Sequence, residues 1–506
     1  MSRTKLHTFT FAFVALIALL AASCSSSGDS DEPQVVEPAP TSAPEPADEP
    51  APEPADEPAD EPAPEPADEP ADEPAPEPAD EPADEPADEP APEPEPTAAP
   101  TPIPVPEGST VGITDDTIKV AILRSDSKSL EEAGILPDTG DIPRNYVVFA
   151  EEVNDRGGAG GRNIEIVFHA YPPGASATDQ QAACIAATED DQVAIVHYVG
   201  GVAAETVLCA TEGHERIAYM LSGILPQEIY DRSNGRLFSQ SMTTERLMGA
   251  WPTLADAQGL LEGRTLGLMR GDIGEHEVAA GVLREALAEL GYELADEVAL
   301  PCEGTSCSQL DIGIERMQVA NVDTVFNLLP PSPFGITVFL SARGGWEPQW
   351  LVSDIENLVY ASVAQAVYQR NADPTLFYGL YGLSYGLDRL SPDEHTIECN
   401  AVFTEVTGIE YDIVENEDAW SAVGSTCLFI KNLEAAANWS QETYGTVNQT
   451  TLIQGFESLT DYRLGDITGS WSPTKHDAPD VITLKEYQAD CACWVEIEGA
   501  RTMLDQ

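Results

Sequence analysis

The chain has 506 residues, 88 of them acidic against 24 basic, for a formal net charge of −64. A surface this acidic repels phosphate backbones and anionic lipid headgroups, which excludes DNA, RNA and acidic membrane surfaces as partners. It also fits a salty habitat, where ions screen the repulsion. The first element is an apolar run from Phe9 to Leu20, preceded by Arg3 and Lys5 and followed by Ala21-Ala22-Ser23-Cys24. As a helix it covers about 18 Å, short of the roughly 30 Å of a bilayer core, so residues 1–23 read as a secretory signal.

The ending at Cys24 resembles the bacterial lipoprotein signal, which implies a lipid on Cys24 and a protein held at the extracytoplasmic face of the cell membrane by that lipid alone. Residues 24–110 are then a linker built mostly from Pro, Ala, Glu and Asp, and no Lys or Arg lies between Lys5 and Lys119. Such a segment cannot bury enough apolar surface to offset its ordering entropy, and is predicted to be disordered. Proline and like-charge repulsion extend it to about 3 Å per residue, a reach approaching 200 Å, which suits a spacer. About 27 acidic residues precede Gly112, leaving about 61 acidic against 22 basic residues beyond it, so the globular part is acidic in its own right. Its roughly 400 residues suffice for two lobes, each with its own core.

From Thr117 short apolar runs alternate with longer amphipathic ones, the pattern of parallel strands flanked by helices. Strands are predicted at 118–123, 164–168 and 193–196, with a helix over 144–154 that the glycines at 157–158 terminate. A second series has strands at 265–269, 324–327 and 349–352 and helices over 278–290 and 310–319. Two such series predict an α/β protein of two Rossmann-like lobes. Helices over 391–407 and 418–437 follow, then strands at 461–464, 481–487 and 494–497. A chain that returns to both lobes crosses a hinge several times and can close like a clamshell.

Nine cysteines are present; with Cys24 lipidated, an even eight remain. Outside the membrane these read as disulfides rather than metal ligands. Order along the chain suggests Cys184–Cys209, Cys302–Cys307 and Cys399–Cys427, with Cys491 and Cys493 left over, although eight cysteines allow other pairings. In an extended segment Cα atoms two apart lie near 6.5 Å, so a bridge from Cys491 to Cys493 requires strain there. No histidine is expected at zinc-ligand spacing from these cysteines, and no metal or other cofactor is predicted.

Three segments resemble one family: Gly112–Val120, Phe149–Ile164 with its Asp-Arg-Gly-Gly-Ala-Gly-Gly-Arg core, and Gly469–Asp477. Together they resemble the type I periplasmic binding proteins of the branched-chain amino acid (Leu/Ile/Val) group, which deliver ligands to ABC transporters. The similarity runs from about Gly112 to Ile497 and implies two Rossmann-like lobes, three hinge crossings and a ligand in the cleft. It places the first lobe at about 111–242 and 378–460, and the second at about 243–377 and 461–506. The separation of Cys184 and Cys209 also resembles a first-lobe disulfide of that group.

By the same resemblance the ligand lies at loops after the strands. Gly201, Val202, Ser222 and Gly223 are its first-lobe candidates, with Arg124 in the loop after the first strand; Asp272, Ser332 and Asp354 form the second-lobe rim. Ala203 and Ala204 stand where amino-acid-binding relatives tend to place Ser or Thr, which speaks against a branched-chain amino acid. Glu205 reads as a first-turn acid favoured by the helix dipole. The implied function is capture of a small solute and its delivery, as a monomer, to an ABC permease. The alternatives are a sensor of the same fold that signals to a membrane partner and, ranked below it, an extracellular enzyme. No catalysis is predicted, because the histidines at 169, 197, 214, 276, 395 and 476 are scattered and no Gly-x-Ser-x-Gly spacing occurs.

Overall fold

In a computed structural model of the chain, the described residues are 103–132, 138–200, 202–303, 306–359, 374–385, 394–413, 415–460, 462–464, 467–488, 491 and 493–504. The expected signal peptide, Cys24, the linker as far as residue 102, and Gly201 lie outside them.

Strand β1 (Thr117–Ser125) buries both of its faces, with Ile118, Val120 and Ile122 in one core and Ala121 and Leu123 in another. Burial on both sides is what a central parallel strand requires. Helices α1 (Lys128–Glu132) and α2 (Ile142–Asp155) follow, and Asp141 caps α2 by accepting a hydrogen bond from Arg144 N at 3.1 Å. The chain continues through β2 (Asn163–Tyr171), α3 (Ala177–Ile185), β3 (Ile195–Val199), α4 (Ala204–Leu208), β4 (Ile217–Met220), α5 (Gln227–Arg232) and β5 (Leu237–Ser239). These five strands form a parallel sheet in the order β2-β1-β3-β4-β5.

After β5 the chain enters α6 (Thr244–Ala257), then β6 (Leu266–Gly271), α7 (Gly274–Glu289), β7 (Leu294–Leu300) and the small hairpin β8 (Cys302–Glu303) and β9 (Ser306–Cys307). Next come α8 (Leu310–Val319), β10 (Thr324–Leu328), α9 (Pro331–Arg343), β11 (Gln349–Ser353) and β12 (Tyr381–Ser384). The second sheet has the order β7-β6-β10-β11-β12, the same pattern as the first, extended by two antiparallel strands, β15 (Val481–Gln488) and β16 (Cys493–Met503). Leu268, Phe326 and Leu351 pack on one face, where Trp251 of α6 meets Phe326 edge-on with ring centroids 5.0 Å apart. Met269, Val325 and Val352 pack on the other.

Between β12 and β15 lie α10 (Glu394–Thr407), α11 (Glu417–Tyr444), α12 (Gln449–Glu457) and the hairpin β13 (Tyr462–Leu464) and β14 (Ile467–Gly469). Helix α11 packs on α2, and α10 and α12 pack on α11, so the three complete the first lobe. The glycine-rich motif explains part of that docking. Gly158 has φ +80°, and a Cβ there would lie 2.2 Å from Arg162 O, so glycine is required. Arg162 donates to Thr114 O and Gly160 O, both at 2.8 Å, and to Gln441 Oε1 of α11 at 3.1 Å.

Three expectations change. The return to the first lobe does not begin at residue 378, because β12 pairs in parallel with β11 and antiparallel with β15; the chain leaves the second sheet only after Ser384. The linker is not free as far as residue 110: Asn448 Nδ2 donates to Pro106 O at 3.1 Å, Thr450 Oγ1 to Glu107 O at 2.9 Å, and Gln449 N to Ser109 O at 2.9 Å. These bonds tie it to the start of α12, whose first N–H groups lack partners within the helix. Finally, Cys491 and Cys493 are bridged, along with Cys184–Cys209, Cys302–Cys307 and Cys399–Cys427. Cys491 sits in a turn rather than an extended segment, which brings the two Cα atoms to 5.2 Å.

Candidate ligand cleft and hinge

In open parallel sheets the ligand crevice forms at the carboxyl ends of the strands, where the strand order reverses. In the first sheet that point lies between β1 and β3, where Arg124 pairs with Val199. In the second it lies between β6 and β10, where Arg270 pairs with Leu328.

The expected site residues divide between these two rims. Arg124 lies one residue before the end of β1 with its side chain 20 % exposed, and its Nη1 donates to Ser125 O at 3.1 Å. Val202 precedes α4, and Ser222 and Gly223 follow β4. On the other rim Asp272 follows β6 and is exposed, and Ser332 is exposed at the start of α9. Asp354 is buried, and its Oδ2 accepts from Ser384 Oγ at 2.7 Å and from Tyr385 N at 3.1 Å. It thereby fixes the end of β12 against the end of β11.

The loop after β3 carries a contact one residue beyond Val202. Ala203 supplies no side-chain cap to α4, and its N–H donates to Gln180 Oε1 at 3.0 Å. Gln180 thereby ties α3 to the start of α4. Its position in α3, 23 residues earlier, gave no signal in the sequence.

A second arrangement missed in the sequence joins two loops of the second lobe. Gly271 N donates to His276 Nδ1 at 3.0 Å, so the ring proton is on Nε2, which donates to Glu356 at 2.5 Å. A Cβ on Gly271 would lie 2.8 Å from His276 Nδ1 and 3.1 Å from Cys302 Sγ. The close approach of ring and disulfide thus depends on that glycine. Nearby, desolvation raises the proton affinity of Glu275, His276 opposes this, and the charges of Glu356 and Glu205 raise it further.

Two crossings meet at the hinge. Ser239 N donates to His476 O and Ala478 N donates to Ser239 O, each at 2.9 Å, so residues 239 and 477 pair like parallel strands. Asp477 Oδ2 accepts from Thr243 N at 2.9 Å and from Arg246 Nη1 at 2.7 Å. Lys475, also buried, donates to the carbonyls of Ser470, Asp477 and Ala478 at 2.6, 2.5 and 3.0 Å, and pairs with Asp480 at 2.9 Å. Burial lowers its pKa. Trp471 packs edge-on to Tyr219 and Phe238 of the first lobe, and His476 stacks on Phe238 at 4.3 Å. The 469–477 segment thus fastens the approach to β15 to the first lobe.

One expectation about metals is corrected. His395 lies one helical turn before Cys399, and its ring approaches Cys399 and Cys427 with all three ligand atoms within 4.8 Å of one another. Both sulfurs are committed to the Cys399–Cys427 disulfide, which leaves no thiolate for an ion.

No protein-family model matches the sequence, and no curated protein matches it. Solved structures do. The solute-binding protein of an ABC transporter from Rhodopseudomonas palustris HaA2, in complex with p-hydroxybenzoic acid, is similar with a TM-score of 0.57 at 13 % identity, over 77 % of this chain and 98 % of that one. The fatty acid ABC transporter substrate-binding protein from Thermomonospora curvata gives 0.54 at 16 % identity, over 78 % and 94 %. A branched-chain amino acid ABC transporter protein from Thermus thermophilus with bound valine gives 0.54 at 12 % identity, over 76 % and 95 %. These neighbours are solute-binding proteins rather than enzymes, and the fold is that of the type I periplasmic binding proteins.

Proposed function

We propose that this chain is an extracytoplasmic, lipid-anchored solute-binding protein. It captures a small solute, an amino acid or a related compound, between its two lobes and presents it to the permease of an ABC transporter. The observation that carries this reading is the pair of parallel sheets of one strand pattern, joined where residues 239 and 477 pair. Closure buries the solute and excludes water, so affinity comes from desolvated hydrogen bonds. The acidic linker supplies the reach between the lipid on Cys24 and the membrane-embedded partner.

Native mass spectrometry of the chain purified from its own envelope tests the reading. One co-purified small molecule, lost on unfolding and regained on refolding with it, is the expected result. Deletion of the gene then abolishes uptake of that molecule. A chain that carries and regains nothing, in cells whose uptake is unchanged, contradicts the reading.

A further inference from the structure

The four disulfides differ in the length of chain they enclose and in how deep they lie. Cys184–Cys209 and Cys399–Cys427 have sequence separations of 25 and 28. Cys184, Cys399 and Cys427 are buried, and Cys209 packs against the core that holds Cys184. Cys302–Cys307, with a separation of 5, joins the paired strands β8 and β9, and both of its residues pack against a core of the second sheet. Cys491–Cys493 has a separation of 2, and Cys491 is exposed.

This last bridge has little to hold together. A crosslink stabilises largely by restricting the unfolded chain, and that restriction shrinks with the loop it closes. The hairpin of β15 and β16 is closed without it: Gln488 pairs with Cys493, Tyr487 with Trp494 and Glu486 with Val495. Trp494 anchors the same end. Its ring meets Tyr487 edge-on with centroids 5.6 Å apart, and it lies so near β12 that a Cβ on Gly382 would come within 3.0 Å of it. None of these contacts passes through either sulfur. Two cysteines therefore stand joined at a surface turn where neither the strand pairing nor a core depends on the bond. Disulfides that are exposed in this way are the ones that exchange with external thiols, whereas structural bridges resist them.

We propose that Cys491–Cys493 is a thiol–disulfide exchange site, the oxidised form of a pair that an external dithiol reduces while the rest of the chain stays folded. The two sulfurs take different roles. Cys491 is exposed and receives the attack; Cys493, the first residue of β16, is half-buried and leaves. A thiolate of the external dithiol bonds to Cys491 Sγ, the Sγ–Sγ bond breaks, and its electron pair stays on Cys493, which takes a proton from water. The second thiolate of the reductant then attacks the reductant's own first sulfur and releases Cys491, which is protonated in turn. The reductant ends as a disulfide, and the cysteine pair has gained two electrons and two protons. The site is independent of whatever the two lobes hold between them.

Timed reduction of the oxidised mature chain by dithiothreitol, with acid quenching, alkylation and peptide mapping, tests the proposal. The reagent is a neutral dithiol, which the acidic surface does not repel. Cys491 and Cys493 are expected to be alkylated about 10-fold faster than any other pair, since access governs the rate. The other six cysteines stay bridged, and the melting temperature stays within about 1 °C of the oxidised chain, since so short a loop restricts the unfolded state least. Added oxidised dithiothreitol then closes the bridge again. The roles of the two sulfurs are read with 5,5′-dithiobis(2-nitrobenzoate): the thiol left in Cys493→Ser reacts about 10-fold faster than the one left in Cys491→Ser. If either variant misfolds, the mapping of the wild type still decides. A bridge that outlasts Cys302–Cys307, or whose reduction lowers the melting temperature by several degrees, is a structural staple and overturns the proposal. Equal reactivity of the two single thiols overturns the assignment of attack to Cys491.

Discussion

Asp477 meets Arg246 at 2.7 Å across 231 positions of sequence, and the pair sits where two of the chain's crossings lie side by side. The same carboxylate oxygen accepts from Thr243 N, so one side chain fastens the start of α6 to the segment that leads into β15. In the proposed solute-binding reading, closure of the lobes turns about this point.

Asp477→Asn keeps the size of the side chain and removes its charge. It is expected to cost about 2–3 kcal/mol, below the full cost of breaking a wholly buried pair because Arg246 is 21 % exposed. Urea denaturation at neutral pH measures it, and an unchanged midpoint rejects the hinge assignment.

Burial makes His197 a stability sensor. Its Nδ1 donates to Tyr219 O at 2.9 Å, its Nε2 accepts from Tyr146 OH at 2.7 Å, and its ring stacks on Phe429 at 3.9 Å. Both nitrogens are engaged in the neutral form, and burial lowers the pKa from 6.5 to about 3. The folded value lies below the unfolded one, so the unfolded chain binds the proton first as the pH drops. This contribution to stability is complete above pH 6.5 and is lost as the pH falls towards 3, at about 1.4 kcal/mol per pH unit. The difference between wild type and His197→Gln in denaturation midpoint should shrink steadily over that window; a difference independent of pH refutes the assignment.

The Cys184–Cys209 bridge closes a loop with a sequence separation of 25. Restricting the unfolded chain in this way is worth about 3–4 kcal/mol. Cys184→Ser with Cys209→Ser should lower stability by that order when compared with the oxidised wild type, and peptide mapping under non-reducing conditions should recover all four bridges. Recovery of other pairings contradicts the fold at those positions.

Lipid attachment has its own test. Cys24→Ser is expected to release the chain from the membrane fraction and to abolish labelling with a radioactive fatty acid. A membrane-bound, unlabelled wild type refutes the anchor.

Much of this architecture is legible in the sequence because burial on one or two faces leaves a period. The apolar runs at 118–123 and 324–327 fall inside β1 and β10, and the helix predicted over 310–319 coincides with α8. Tyr381–Ser384 is too short to carry a period, and its sheet is chosen by its pairing with β11 and β15, which only the fold brings beside it. The bridge from Cys491 to Cys493 escaped for a related reason: a turn, not a strand, sets its Cα spacing. The site was less legible still. The link from Gly271 through His276 to Glu356 joins residues up to 85 positions apart, and partners are a property of the folded chain. Asp477 appears in the sequence as one residue of a motif, and its partner Arg246 lies beyond any local pattern.

The central claim is that the cleft holds a small solute. A thermal-shift screen of the oxidised mature chain against amino acids, amides, short peptides, and aromatic and aliphatic acids tests it most directly, because a ligand that prefers the native state raises its melting temperature by mass action. The account predicts a saturable rise of several degrees with at least one small solute. A cooperatively melting chain whose transition no solute moves contradicts it.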